Sequence, residues 1–226
     1  MDALRRIAGR VLLSLPALAL GFFATAHFSD GLAVDAAIPV PVYMIAQIAM
    51  PKAAYEDAAA ALARADARNG NAAIARAEAK LRSGASPAAQ VPILTRGLLH
   101  EPASARGWTL LTEALLPTDK KDAARALSQA LVLAPHEYWL VEARAHDAAL
   151  LWDHLDAETQ ASALEQTRML WQEPVLRGQL RRLLFTREGV ALAARAFAGR
   201  QDNLREMNRW LSAERRRTPM TERSLP

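Results

Sequence analysis

Apolar residues recur every three or four positions along most of the chain, with polar residues between them. This spacing is typical of amphipathic helices. From Lys52 onward it predicts helices of about 10 to 18 residues, separated by short segments such as "RNGN", "PTDKK" and "APHE". Alanine and leucine dominate, and runs of β-branched residues, which favour strands, are scarce. The pattern therefore predicts an all-α protein.

An uncharged apolar segment, residues 11–28, lies near the N-terminus and follows Arg5, Arg6 and Arg10. As a helix it would be roughly 27 Å long, close to the roughly 30 Å hydrocarbon core of a bilayer. Basic residues precede the segment and acidic residues follow it, so the positive-inside rule places residues 1–10 in the cytoplasm and the body across the membrane. The bias toward Ala, Leu and Arg favours a bacterium. We therefore expect a single-pass inner-membrane protein with a periplasmic body.

Two other interpretations of residues 11–28 stay open. The short apolar core followed by "ATA" also fits a signal peptide cleaved after Ala26, which would export the body without an anchor. The third interpretation is a buried helix of a cytoplasmic protein.

The remaining domain boundaries follow from composition. Residues 29–51 contain a second apolar stretch that prolines interrupt, so we predict a linker and a short helix at 42–50 that covers one end of the core or lies on the membrane surface. A helical domain is predicted at 52–213. Residues 214–226 form a basic tail with little periodicity, which we expect to be disordered.

Two stretches in the middle of the chain end alike, one at Pro102 and the other at Pro135. Aligning the prolines pairs Leu94 with Leu127, Gly97 with Ala130, and Leu98 with Leu131. A fixed period of this size is typical of helical repeats. Residues 51–84 also read as a helical hairpin turning at 69–71, and 156–174 read as a degenerate further unit. The alternative is an ordinary helical bundle with two helices that look alike.

Residues 108–135 resemble one tetratricopeptide repeat (TPR), a family whose period is close to the spacing of the two prolines. The resemblance rests on Trp108, Leu111, Leu115, Ala123, Leu127, Ala130 and Pro135. Thr112 stands where the family has glycine, and Leu115 and Leu127 stand at aromatic positions. The resemblance implies a short TPR-like solenoid of helical hairpins in which Trp108 is buried between the two helices of its repeat.

The same resemblance implies a function in binding, because helical repeats engage partners on a concave surface. That groove would run along the first helices of successive pairs, around 104–116 and 138–150. Its polar positions are Arg106, Glu113, Glu142, Arg144 and Asp147. Arg125 would lie on a second helix, away from the groove. Anchored proteins of this type commonly organise envelope assemblies, so we expect a scaffold for an envelope protein, in envelope or surface-polysaccharide biogenesis.

Histidines and carboxylates cluster in residues 136–158, where one helix would present the pairs Glu142 with His146 and His154 with Glu158. A metal site needs three or four converging ligands, and the chain shows no catalytic motif or phosphate-binding glycine loop. We therefore expect no enzymatic activity, metal or cofactor. The alternatives are a metal-dependent enzyme that uses this histidine-rich helix, and an exported soluble glycan-binding protein in which an exposed tryptophan stacks on a sugar.

The formal net charge is only +4 and the chain lacks cysteine. Part of the basic excess lies at the two ends, so the middle of the chain is close to neutral, which argues against a body that binds nucleic acid. We expect membrane contact through 11–28 and no nucleic-acid partner, while the sequence does not indicate the oligomeric state.

Overall fold

The computed structural model describes residues 50–63, 65, 66 and 69–217. All regular structure in these ranges is helical, which confirms the all-α prediction. None of the helices within them has the length and apolar composition needed to cross a bilayer. The predicted membrane segment at 11–28 and nearly all of the predicted helix at 42–50 lie outside the described residues.

The chain divides into two compact units, Met1–Pro102 and Ala103–Pro226. The described part of the first unit contains three helices: α1 (Lys52–Leu62), α2 (Gly70–Arg82) and α3 (Pro87–His100). Helix α2 packs against both α1 and α3. The Asn69 side chain begins α2 by accepting a hydrogen bond from the backbone N–H of Ala72 at 3.1 Å. Helix α2 therefore begins within the segment 69–71, where the sequence predicted the hairpin to turn.

Glycines permit the close approach of α2 and α3. A Cβ atom on Gly97 would lie 2.9 Å from Cγ1 of Ile74, and one on Gly70 would lie 2.6 Å from the carbonyl oxygen of Gly97. Neither distance is available to a real Cβ atom unless the neighbouring groups shift. The close packing of α2 against α3 therefore favours glycine at position 97.

The second unit contains seven α-helices and two short 3-10 helices among its described residues. They are α4 (Ala105–Leu115), α5 (Lys120–Leu133), α6 (Tyr138–Leu151), α7 (Ala157–Gln172), α8 (Arg177–Leu183), α9 (Arg187–Ala196) and α10 (Gln201–Arg217), with 3-10 helices at Trp152–His154 and Pro174–Leu176. Side chains of Ser104, Asp119, Asp156 and Thr186 cap α4, α5, α7 and α9. Each accepts a hydrogen bond from a backbone N–H three residues later, which satisfies a donor left free at the helix start.

The first four helices of this unit pack as two successive hairpins. Helix α4 pairs with α5 and α6 with α7, while α4 also contacts α6 and α5 contacts α7. Helices α8 and α9 then pack against both α6 and α7. The core between them includes Leu127, Val141, Leu151, Leu170, Trp171, Leu180, Leu192 and Phe197. First helices therefore lie beside first helices, as in helical-repeat proteins.

Helix starts recur with the same spacing that separates Pro102 from Pro135. The starts of α3 and α5, at Pro87 and Lys120, are separated by this interval, and so are the starts of α4 and α6. All the helical residues that the alignment pairs are buried. They are Leu94, Gly97 and Leu98 on α3, and Leu127, Ala130 and Leu131 on α5. The period therefore corresponds to a real recurrence of helices with the same buried positions.

Two local expectations, the burial of Trp108 and the disordered tail, differ from the structure. Trp108 is only half-buried, whereas Leu111 is buried. Helix α10 continues to Arg217, so residues 214–217 are helical rather than part of a disordered tail, and 218–226 lie outside the described residues. Met207 packs into the core from α10, and Leu204, Trp210 and Leu211 pack against the same core.

Candidate functional site

Helix α6 exposes a narrow stripe along its length. The stripe consists of Trp139, Glu142, His146 and Leu150, which follow one another at intervals of three, four and four positions. Trp139 and His146 are exposed, and Glu142 and Leu150 are half-buried. This spacing keeps the four side chains on one face of the helix. Most other positions of α6, among them Val141 and Ala145, are fully buried. The stripe is therefore the part of the helix most available to a partner.

Helix α4, which packs against α6, contributes a second stripe. Arg106 and Glu113 are half-buried and lie two helical turns apart, on the same side of α4. Glu113 is close enough to His146 to act on it electrostatically. The two stripes are therefore neighbours, and we call Arg106, Glu113, Trp139, Glu142 and His146 together the α4–α6 face.

Negative charge surrounds the imidazole of His146. Its Nδ1 lies 3.8 Å from Oδ1 of Asp147. The pKa of His146 is raised, chiefly by the adjacent Asp147 carboxylate, while partial burial opposes the shift and the charges of Glu113 and Glu142 add to it. The charge of the α4–α6 face therefore changes in the pH range where this histidine titrates.

Glu142 is held by a bidentate ion pair with Arg182 of α8, in which Nε and Nη2 each donate to one carboxylate oxygen. This pairing raises the pKa of Arg182. Fork-to-carboxylate geometry of this kind fixes the orientation of both side chains. Arg182 therefore borders the α4–α6 face, although no sequence pattern indicated this position for it.

Arg144 is not on this face, which corrects the sequence prediction. Its side chain is fully buried. Nη1 donates to the carbonyl oxygen of Ala134 at 2.6 Å and Nε donates to Oγ1 of Thr109 at 3.3 Å, while Nη2 lies 3.8 Å from the carboxylate of Glu137. Burial lowers the pKa of Arg144 to about 10, against the opposing effect of Glu137. The guanidinium thus remains charged at neutral pH and joins α4, α5 and α6 instead of meeting a partner.

Asp147 requires the same correction. It is buried, with 3% of its surface exposed, and its carboxylate stabilises protonated His146. Arg144 and Asp147 lie about 80 to 140° around the helix from Trp139, using about 100° per residue. They therefore point into the unit, where α6 is covered by its neighbours.

An exposed apolar group borders the α4–α6 face at the turn between α5 and α6. Val132, Leu133, Tyr138 and Trp139 are exposed there, Val132 by 67% and Tyr138 by 50%. The indole N–H of Trp139 donates to the Glu137 carboxylate at 3.1 Å. Aromatic side chains with one polar contact and an exposed ring are enriched at protein interfaces. This turn therefore adds an apolar anchor beside the polar stripes.

The histidine-rich segment 136–158 is not one helix. Helix α6 ends at Leu151, Trp152–His154 form a 3-10 turn, and extended backbone at Leu155 leads into α7. His154 and Glu158 are thus on different elements, so the predicted second pair on the same helix is wrong. Throughout the described ranges, no three His, Asp or Glu side chains are grouped as a metal ion would require.

A surface cavity of about 270 Å³ lies between α5, the 3-10 turn and the start of α7. Its lining includes Lys121, Arg125, Ser128 and Gln129 from α5 and His154 from the turn. Arg125 was predicted to lie away from the groove, and no sequence pattern indicated this cavity. The polar residues spaced by three or four positions on α5 could have indicated one wall of the cavity. The opposite wall comes from elements that follow later in the chain, so the cavity itself was not predictable from this spacing.

Comparison of the chain with protein-family models, with curated proteins and with solved structures gave no match. The second unit presents two separate candidate surfaces, the α4–α6 face and the cavity between α5 and the start of α7, called here the α5–α7 cavity, and they share no residue.

Proposed function

We propose that this protein is a TPR-like adaptor that binds a protein partner through the α4–α6 face. The observation that carries the proposal is the juxtaposition of the two partly exposed stripes, from α4 and from α6, beside the exposed aromatic turn at Tyr138 and Trp139. Neighbouring first helices of successive hairpins are the surface through which helical repeats usually bind.

The composition of the face favours a protein partner over a polyanion. It combines one arginine, two glutamates and one histidine, and Glu142 is already neutralised by Arg182. An interface of this kind has a small aromatic anchor with a mixed polar rim. A nucleic acid or strongly anionic polymer would require clustered basic residues instead.

We further propose that residues 11–28 anchor the chain in the inner membrane, with the body in the periplasm and an envelope protein as partner. The support is the basic flank, the uncharged apolar run and the acidic residues that follow it. The link to envelope or surface-polysaccharide biogenesis rests on analogy with other anchored helical-repeat proteins.

Site-specific photo-crosslinking in cells tests the binding surface. Crosslinkers at Glu113 and at Trp139 are expected to capture the same envelope protein, since both positions belong to the α4–α6 face. A crosslinker at Glu165, an α7 residue with a 59% exposed side chain, is the control and should not capture it. Equal capture from Glu165, or capture from neither test position, contradicts the proposal.

A reporter that is active only in the periplasm, fused after Ser86, tests the orientation. Periplasmic activity is expected, and activity confined to the cytoplasm contradicts export. N-terminal sequencing of the purified protein distinguishes the two exported forms. A mature protein that begins after Ala26 would show that the apolar segment belongs to a cleaved signal peptide and is not an anchor.

A further inference from the structure

The cavity between α5 and α7 has the size of a small-ligand site. Its volume of about 270 Å³ is just below the roughly 300 to 1,000 Å³ of pockets that hold drug-sized ligands. It therefore suits a molecule about as large as a monosaccharide. Ala124 and Leu155, both buried, contribute an apolar floor.

The walls supply mainly hydrogen-bond donors and positive charge. Lys121 and Arg125 are one helical turn apart on α5, and His154 lines the cavity from the 3-10 turn. Ser128 and Gln129 continue the α5 wall by one more turn with a hydroxyl and a carboxamide. A ligand that matches this lining is rich in acceptors and carries a negative charge.

Two carboxylates, those of Asp122 and Asp156, restrict the position that the ligand's negative charge can occupy. Asp122 pairs with Arg125 at 2.7 Å, but this contact is between exposed side chains and is weak enough for a ligand to replace it. Asp156 caps α7 by accepting from the backbone N–H of Thr159 at 2.7 Å. This cap lowers the pKa of Asp156, so its charge persists and repels an anion from the α7 side. The negative group of the ligand therefore belongs beside Lys121 and Arg125.

We propose that the α5–α7 cavity binds an anionic monosaccharide-sized molecule, with its carboxylate or phosphate at Lys121 and Arg125 and its hydroxyls toward Ser128 and Gln129. The two anionic groups share the chemistry that the lining recognises, and the experiment distinguishes them. The described lining contains no Trp, Tyr or Phe ring, so charge contacts and hydrogen bonds provide the recognition rather than stacking.

Calorimetric titration of the purified full chain in detergent, at fixed ionic strength, tests this proposal with glucuronate, glucose 6-phosphate and glucose. Glucuronate or glucose 6-phosphate is expected to bind with a Kd of about 1 mM or tighter, and the tighter of the two identifies the anionic group. Glucose is expected to bind at least about tenfold more weakly. Absence of saturable binding by both anions, or equal binding of glucose, overturns the proposal.

Variants assign the binding to the cavity. Lys121→Gln and Arg125→Gln are each expected to weaken binding of the preferred anion about tenfold, as the loss of one charged hydrogen bond predicts. Lys120→Gln is the matched control because Lys120 is also exposed on α5 but does not line the cavity. It is expected to change the Kd by about twofold or less. An equal loss in all three variants would show a general charge effect and overturn the assignment.

Discussion

The guanidinium of Arg144 donates a 2.6 Å hydrogen bond to the carbonyl oxygen of Ala134. Ala134 is the C-terminal capping residue of α5, so a fully buried cation on α6 satisfies the end of the preceding helix. The negative end of the helix dipole favours a positive charge at that point. This contact joins the two hairpins that form the α4–α6 face, and it explains why a charged residue occupies the core.

Replacement of Arg144 by alanine tests this role. Arg144→Ala is expected to lower the free energy of unfolding by about 3 kcal/mol, because it leaves a cavity and an unpaired carbonyl and removes the cation beside the Glu137 carboxylate. Chemical denaturation measures the change. Arg205→Ala, at an arginine whose side chain is 74% exposed, is the control and should change stability by no more than about 0.5 kcal/mol. A similar effect of both variants would contradict the structural role of Arg144.

Stability should depend on pH through His146. Its pKa is raised in the folded protein, above the unfolded value of about 6.5. A raised pKa means that the folded state binds the proton more tightly, so the stabilisation is fully present below about pH 6.5 and is lost as pH rises through the folded pKa. The difference in unfolding free energy between wild type and His146→Gln should therefore be largest below about pH 6.5 and shrink as the pH rises above it.

Asp147→Asn provides the matched test of the cause. Asp147 is the largest contributor to the shift, so removing its charge should lower the pKa of His146 in an NMR titration. An unchanged His146 titration in Asp147→Asn would show that another group raises this pKa.

The glycines between α2 and α3 should tolerate no side chain. Gly97→Ala and Gly70→Ala are each expected to destabilise the protein by about 1 to 3 kcal/mol, because the added methyl group overpacks the helix crossing. Gly178→Ala is the matched control, since nothing lies within 4 Å of the Cβ atom added there. It should stabilise α8 by up to about 1 kcal/mol. Thermal melts that rank Gly178→Ala below Gly97→Ala would contradict the packing argument.

The ion pair between Glu142 and Arg182 should contribute little to stability. Its side chains are 25% and 49% exposed, so solvent screens their attraction. A double-mutant cycle with Glu142→Ala and Arg182→Ala is expected to give a coupling of about 0.5 to 1 kcal/mol. A coupling near about 3 kcal/mol would indicate a buried pair and a different position for α8.

The sequence by itself determined the helices and their recurrence. Capping residues such as Ser104 and Asp119 precede helix starts, and buried positions such as Leu94 and Leu127 recur with the predicted spacing. These features are local, because a cap acts within the first helical turn and helical periodicity acts within two turns. The all-α class and the second-helix core positions were therefore predictable without any tertiary information.

Only the tertiary structure decided which polar residues of α6 reach solvent. Glu142 and Arg144 differ little in sequence context, yet Arg144 is buried because Thr109 on α4 and Ala134 at the end of α5 satisfy its donors. Trp108 is half-buried. Its burial could not be predicted from the sequence, because it depends on which neighbouring elements cover the side chain. A buried polar group needs partners from other elements, and the chain brings those partners together only when it folds.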